Sequence, residues 1–575
     1  MFGYKCLCWE SEYEFCLSEP EPFSLPAPLP EWPQDNSVRQ QYGQGFATGR
    51  ICLGDIEVSK VTEFERIWSC NLLHGKTKGL TFYKPVGIPD GFFCLGHFCQ
   101  LNNQPLRGHV LVACDATFAK EKSGSISDSA LKLPPLRKPL SYTLIWSTDT
   151  QHNGCGYFWL PNPPAGYKAM GFVVSDEPEE PKLEEVRCVR EDLTESCETC
   201  ELILVTDSEF SMDPFQVWNT RPCERGMSCT GVSVGTFYCS TYINPEDELN
   251  IACLKNHDCT LQAMPNLDQI HSLITHYGPT VFFHPDEVYL PSSVQWFFKN
   301  GALLYQEGNK KAVPINYRGS NLPCGGKNDG EFWIDLPIDD VARDNLKNGN
   351  LDSAELYVHA KPALGGTFTD IVMWVFFPFN GPATIKVGLV SIAMSKIGQH
   401  VGDWEHFTIR VNNFTGELWS MFFSQHSGGE WVDAFNLEFI EGNKPIVYSS
   451  KSGHASFPHA GTYLQGSSKL GIGVRNDAAQ SNFIIDSSTR YQIIAAEYLG
   501  DGIIEEPCWL QYMRDWGPTI VYDSRSEIDK LIDLLPLFVR FSVENIFDLF
   551  PTELYGEEGP TGPKEKDNWV GDEIC

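Results

Sequence analysis

The segment Gln399-His400-Val401-Gly402-Asp403-Trp404-Glu405-His406-Phe407-Thr408-Ile409-Arg410-Val411 places an imidazole and two carboxylates within six positions, ahead of alternating apolar residues. That alternation has the period of a strand, in which side chains two apart share a face. Asp403 and Glu405 therefore point the same way, and Phe407, Ile409 and Val411 extend their face as core. Two carboxylates at the mouth of an apolar face are costly to charge unless something cationic pairs with them. The strand offers no Lys or Arg on that face, whereas His400, just before it, can bend in as a third ligand. Two carboxylates, one imidazole and water suit Mg²⁺, Ca²⁺ or Mn²⁺ and tolerate Zn²⁺. The alternative is that both acids bond buried backbone amides or a distant Arg.

A divalent ion with open positions can also lower the pKa of a bound water. With Glu405, His406 or His426 as general base, the site would then be that of a hydrolase or lyase. Without a spare acid or base beyond the ligands, the same residues bind and do not turn over. No Gly-rich phosphate loop and no nucleophile elbow is present. His284, Asp286 and Glu287 follow the apolar Thr280 to Phe283 and either cap a turn or line the same pocket.

The elements that must hold these residues are read from the rest of the chain. At 575 residues it exceeds what one core supports, so two or three domains are expected. Hydrophobic residues at 42% with only 21% charged give it ample apolar surface to bury. A net charge of −32, with no basic run, argues against nucleic acid or an anionic membrane as partner. The first residues carry acids where a secretory leader needs a basic start, so a cytoplasmic protein is expected. The most apolar segment, Ile371 to Phe379, is too short to span a bilayer, and Leu531 to Phe550 is interrupted by Asp533, Pro536, Arg540, Glu544 and Asp548. Most of the twenty cysteines are expected as reduced thiols, with a zinc site or a redox pair around Cys197 and Cys200 as the alternatives.

The fold expected is mainly β: an N-terminal β-repeat domain and a C-terminal β-sandwich with a few peripheral helices. Residues 1–44 form a Pro-rich arm whose Phe23, Leu25, Leu29 and Trp32 should lie on the body. Residues 45–264 hold the repeats: Phe82-Tyr83, Pro89, Gly91, Phe92 and Gly96 recur as Tyr157-Phe158, Pro164, Gly166, Tyr167 and Gly171, and a looser third copy begins at Trp218. Residues 265–510 carry the metal-site sandwich. Residues 511–575 are expected as C-terminal helices, with Ser526 as a cap, and a polar irregular tail from Gly556.

His400-x-x-Asp403-Trp404-Glu405, preceded by the apolar Val372 to Pro378, resembles the central motif of the necrosis- and ethylene-inducing peptide-like proteins. Their β-sandwich holds a divalent ion through such a His, Asp and Glu. The resemblance implies two further ligands: Asn380, at the place of another Asp of that family, and His454, in Gly453-His454-Ala455 after Lys444-Pro445-Ile446-Val447-Tyr448. Those proteins bind sphingolipid sugar head groups, so the resemblance implies a lipid head group or sugar as ligand. Their secretion and cytolysis do not carry over to this chain.

FSLPAPLPEWP, the FYKP and aromatic-Pro-Gly units, YGPTVFFHPDE with LPSSVQWFF, and GGTFTDIVMWVFFPFNGPA with HVGDWEHFTIRV together resemble the plant proteins similar to vacuolar protein sorting-associated protein 62, over nearly the whole chain. The repeats are also similar to those with which vacuolar protein sorting-associated protein 13 binds its adaptors, which implies a peptide or adaptor partner for residues 45–260. The function expected is that of a cytosolic binding protein in trafficking or vacuolar sorting, peripheral to endomembranes, with a metal-centred head-group or glycan site. The metal-dependent hydrolase or lyase is the alternative.

Overall fold

The computed structural model describes residues 20–34, 42–70, 79–116, 133–150, 154–205, 215–241, 249–258, 261–326, 329–426, 428–467, 471–521, 556–557 and 559–573. The protein is mainly β. Among the described residues the α-helices are Leu267–Tyr277, Val294–Lys299 and Asp340–Lys347. None is long and apolar enough to cross a membrane. The helices expected from Ser526 onward lie outside the described residues.

The repeated aromatic units fold alike. Leu80–Pro85 is the middle of a three-stranded antiparallel meander, and Gly154–Asn162 and Gln216–Pro222 each sit between the same kinds of neighbour. Their aromatic faces cannot be buried within one unit, so they are buried against each other. Phe82 packs edge-on to Phe158 at 4.8 Å and to Phe237 at 5.1 Å. The Pro-rich arm lies on the body as expected: Trp32 is buried, and its indole N–H donates to the Thr415 carbonyl at 3.0 Å.

The site belongs to a six-stranded sheet running Gly428–Asp433, Glu417–Gln425, His400–Asn412, Phe368–Asn380, Leu356–Ala363, Tyr491–Ala495. Phe368–Asn380 is buried at every residue because both faces of this sheet are covered. On one face Met373, Val375, Phe377, Phe407, Ile409 and Val411 pack against Val281, Phe283, Val447 and Ile485 of a second sheet. On the other, Trp374, Phe376 and Trp404 pack against Phe297, Trp509, Trp516 and Trp569. The strand expected at His400 thus carries its acids on the face of Phe407, Ile409 and Val411.

Two local features shape the site end of this strand. Among the described residues, 400–406 pair with Phe368–Asn380 on one side only, because Glu417–Gln425 joins the other side from Phe407 onward. At the edge so exposed, the His406 backbone N–H donates to Ser424 Oγ at 3.2 Å instead of to a strand carbonyl. The second feature is Gly402, with φ +64. In an uninterrupted strand His400 and Asp403, three apart, would face opposite ways. The left-handed Gly402 breaks that alternation and leaves His400 Nε2 3.9 Å from Asp403 Oδ1. A Cβ at Gly402 would also meet the Trp516 carbonyl oxygen at 2.5 Å.

The tail expected as irregular is irregular in form, two short 3₁₀ turns at Pro563–Glu565 and Asp567–Trp569, but it is docked along the site sheet. Trp569 stacks on His359 with centroids 4.0 Å apart. The buried Lys361 ammonium donates to the carbonyls of Asn568 and Gly571. Asp572 accepts from Arg410 at 3.1 Å and from Arg225 of the repeat half at 3.2 Å, so one carboxylate ties both halves together. Glu573 accepts from His406 at 2.9 Å and from the Thr408 hydroxyl at 2.5 Å. Burial opposes its charge, but His406, Lys361 and Thr408 outweigh that and hold its carboxyl down at about 2.

Two outcomes follow from these contacts. Gly402→Ala should lose about 2 kcal/mol or more, from left-handed strain plus the backbone clash, as a lowered denaturation midpoint at unchanged m-value. Because the folded Glu573 carboxyl titrates below its unfolded value, its contribution is present above about pH 4.5 and is lost as pH falls towards about 2. The stability gap between wild type and Glu573→Gln, up to about 3 kcal/mol at neutral pH, should therefore close across that window in denaturant titrations. A gap independent of pH would contradict the pairing.

Candidate functional site

A cavity of about 470 Å³ opens at the unpaired edge of the His400–Asn412 strand. That volume falls in the range of small-ligand pockets. His400, Asp403, Glu405, His406, His426 and Asn380, all candidates from sequence, line it. The strand supplies the first four, the turn after Gln425 supplies His426, and the sheet containing Thr384–Val387 and Ile472–Ala478 supplies the facing wall.

His400 is held as a neutral acceptor. Its Nδ1–H donates to the Gly402 carbonyl at 2.8 Å, which leaves the Nε2 lone pair towards Asp403 and the cavity. Burial lowers its pKa, against the raising effects of Asp403 and of the Gly402 carbonyl. A ring nitrogen anchored on a carbonyl with the other free is the arrangement a metal-ligating histidine adopts.

The two carboxylates respond differently to burial. Asp403 loses solvation, but a hydrogen bond from His454 Nδ1 at 2.8 Å, with His400 and His454 nearby, more than offsets this and holds its carboxyl below the usual range. Glu405 is raised well above it, first by burial and then by the Asp403 charge, and it accepts from the Ser424 hydroxyl at 2.5 Å. Like-charged acids on one face cannot both ionise cheaply, so Glu405 is the one pushed towards its neutral form.

His454 and Asn380 have other commitments. The His454 ring is fully buried, flat on Phe377 at 3.7 Å, and its Nε2 faces Glu287 Oε2 at 3.9 Å, so it orients Asp403 from behind. Asn380 Nδ2 donates to the carbonyls of Gly398 at 2.5 Å and Gly381 at 3.2 Å. Glu287 takes the capping role: it accepts from the backbone N–H groups of Val288 and Tyr289 at 2.9 Å and of Ser452 at 2.6 Å. His406 lies on the Trp374 side of the strand, bonded to Glu573, with Asn568 Nδ2 at 3.0 Å. His426 Nε2 is 3.2 Å from Asn476 Oδ1.

As placed, no three His, Cys, Asp or Glu side chains among the described residues stand close enough to share one ion. His400, Asp403 and Glu405 are the donors that face common space, and they fit a hard divalent ion by type. Backbone strain gathers here too. His426, Ser452 and His454 have φ of 55, 68 and 56, and non-glycine residues in that region persist where the surroundings over-determine them, often at binding sites.

Sequence reading missed the residues that complete the cavity: Ser424, Asn476 and, from the tail, Lys566, Asn568 and Glu573. Their separation from His400 leaves no local spacing to detect. The one available signal was Trp569, a large aromatic in an otherwise polar tail, which needs a partner to bury it.

Two Saccharomyces cerevisiae proteins are similar to this chain. Vacuolar protein sorting-associated protein TDA6 is 24% identical over 238 residues, 34% of this chain and 48% of that one. Vacuolar protein sorting-associated protein 62 is 24% identical over 221 residues, 32% of this chain and 45% of that one. The chain thus spans about half the length of the curated relatives it matches. The solved structure of Necrosis and Ethylene inducing Protein 2 from the causal agent of cocoa's Witches Broom disease is similar at 14% identity and a TM-score of 0.19, over 40% of this chain and 74% of that chain, a likeness too loose to carry a function. The profile of the vacuolar protein sorting-associated protein 62 family matches residues 19–573, nearly the full chain, and the chain belongs to that family.

Proposed function

We propose that this protein is a binding protein of membrane trafficking or vacuolar sorting whose cavity holds a divalent cation on His400, Asp403 and Glu405 and, beside it, a sugar or lipid head group. The observation that carries this reading is the placing of the His400 ring: its Nδ1 lies 2.8 Å from the Gly402 carbonyl, a contact that calls for the ring proton there, and its Nε2 then faces the Asp403 carboxylate at 3.9 Å as a second acceptor. Two acceptors so placed repel unless a cation lies between them. When bound, the ion would supply a fixed positive charge for hydroxyl or phosphoryl oxygens. His454 and Ser424 would hold the two carboxylates in place for it.

A binding role is preferred in this reading because the Nε2 of each histidine that could serve as general base is turned to a protein partner, His406 to Glu573 and His426 to Asn476. In the same reading the three aromatic meanders of the N-terminal half take a peptide or adaptor, and the protein works at the cytoplasmic side of endomembranes.

Mn²⁺ titrated into the purified full chain, followed by electron paramagnetic resonance, should show one site. His400→Ala or Asp403→Asn should weaken it by about tenfold or more. A wild-type protein that takes up no Mn²⁺, Mg²⁺ or Ca²⁺ would sink the cation reading.

A further inference from the structure

The cavity has a cationic wall as well as an acidic floor, and the C-terminal segment supplies the uncommitted part of it. Lys451, Arg475 and Lys566 all line the cavity. Lys451 stands 3.9 Å from Asp286. Arg475 donates to Asp477 at 2.9 Å and to the Ser391 hydroxyl at 3.0 Å. The Lys566 ammonium makes no hydrogen bond or ion pair among the described residues, although its charge acts on His400, Asp403 and Glu405.

This lone cation is not the loose end of a frayed tail. Its neighbours in the same segment are paired: Lys564 with Glu506, Asp572 with Arg410 and Arg225, Glu573 with His406. The backbone around it is fixed by the Trp569 N–H to the Lys566 carbonyl at 2.9 Å and by Lys361 on the Asn568 carbonyl. No ion pair joins it to the acids across the cavity, where Asp403 accepts from His454 and Glu405 from Ser424. An ammonium of a docked residue that lines a polar cavity and has no partner among the described residues is suited to a ligand oxyanion, and lysine meets phosphate as a mobile point charge.

We propose that Lys566 is the anion-binding residue of the cavity, and that the ligand is a phosphate-bearing head group whose phosphate meets Lys566 while its cationic or cation-bridged end meets Asp403 and Glu405. This rests on the cavity being the ligand site, as argued above, but the phosphate end does not require the divalent ion.

A free phosphate ester and a membrane lipid share this chemistry, and one further feature separates them. Thr384, which lines the cavity, begins a hairpin of Thr384–Val387 and Val390–Ala393 closed by Gly388, at φ +62, and Leu389. Leu389 is fully exposed at 103% and Val390 at 56%. That apolar tip lies three strand residues, about 10 Å, along the hairpin from Thr384. A lipid source would put it in the bilayer interface.

The test uses the full chain with Lys566→Ala and Lys566→Arg, titrated separately with Mn²⁺, ethanolamine, O-phosphoethanolamine and inorganic phosphate by calorimetry. Lys566→Ala should lose about tenfold to hundredfold affinity for O-phosphoethanolamine and for phosphate. Lys566→Arg should restore most of it, and Mn²⁺ affinity should not fall in Lys566→Ala, because removing a positive charge that acts on Asp403 and Glu405 does not weaken a cation site. O-phosphoethanolamine that binds Lys566→Ala as it binds wild type overturns the proposal, as does a wild type that binds neither phosphate probe. Lys566-dependent phosphate binding without Mn²⁺ binding would remove the cation reading and keep this one, and Mn²⁺ binding with no Lys566 effect would do the reverse. Co-sedimentation with phosphatidylcholine vesicles containing phosphatidylethanolamine, lost in both Lys566→Ala and Leu389→Asp, identifies a lipid source. Binding of the soluble probes alone identifies a soluble one.

Discussion

Two carboxylates on one face of a strand, at the point where that strand loses a neighbour, set the terms for the surrounding structure. Water is too scarce there to solvate both charges, and a low-dielectric setting magnifies every interaction between them. The protein answers with unequal treatment. Asp403 receives His454, which is itself backed by Glu287, and keeps its charge. Glu405 receives only a hydroxyl and is pushed towards its neutral form. An asymmetric pair beside a neutral, correctly oriented imidazole is poised for a cation without being collapsed around one of the protein's own.

The rest of the chain is arranged so that this edge stays open but is not bare. The aromatic layer of Trp374, Trp404, Trp509 and Trp516 closes one face. The docked tail covers the flank and, through Asp572, couples Arg410 on the site strand to Arg225 in the repeat half. Arg410 is in turn bonded through two nitrogens to Asp370 of the neighbouring strand, so this network joins two strands of the site sheet to the C-terminal segment and the repeat half. A site built from residues more than 160 positions apart is then as rigid as the sheet beneath it.

Much of this was legible because it is local. Strand periodicity from Phe407 to Val411 placed the acids on the correct face, and the shared spacing of aromatic, Pro and Gly residues revealed repeats that fold as matching meanders. What was not legible depends on contacts without local pattern. The left-handed Gly402 that turns His400 towards Asp403 looks like any other strand glycine. Asn380 and His454 follow from resemblance, but their hydrogen bonds with Gly398 and Asp403 exist only once the strands are paired. The tail was read as polar and irregular, and its form is irregular; that it would bury Trp569 and present Lys566 to the cavity depends on His359, Lys361 and the open edge together.

The cation site is tested by a crystal structure of the full chain grown with Mn²⁺, with anomalous scattering recorded to locate the ion. One anomalous peak is expected in the cavity, within coordination distance of His400 Nε2 and an Asp403 oxygen, with Glu405 drawn in as a third donor. No peak there, with His400 and Asp403 instead joined by a shared proton or the Lys566 ammonium seated between them, would contradict it.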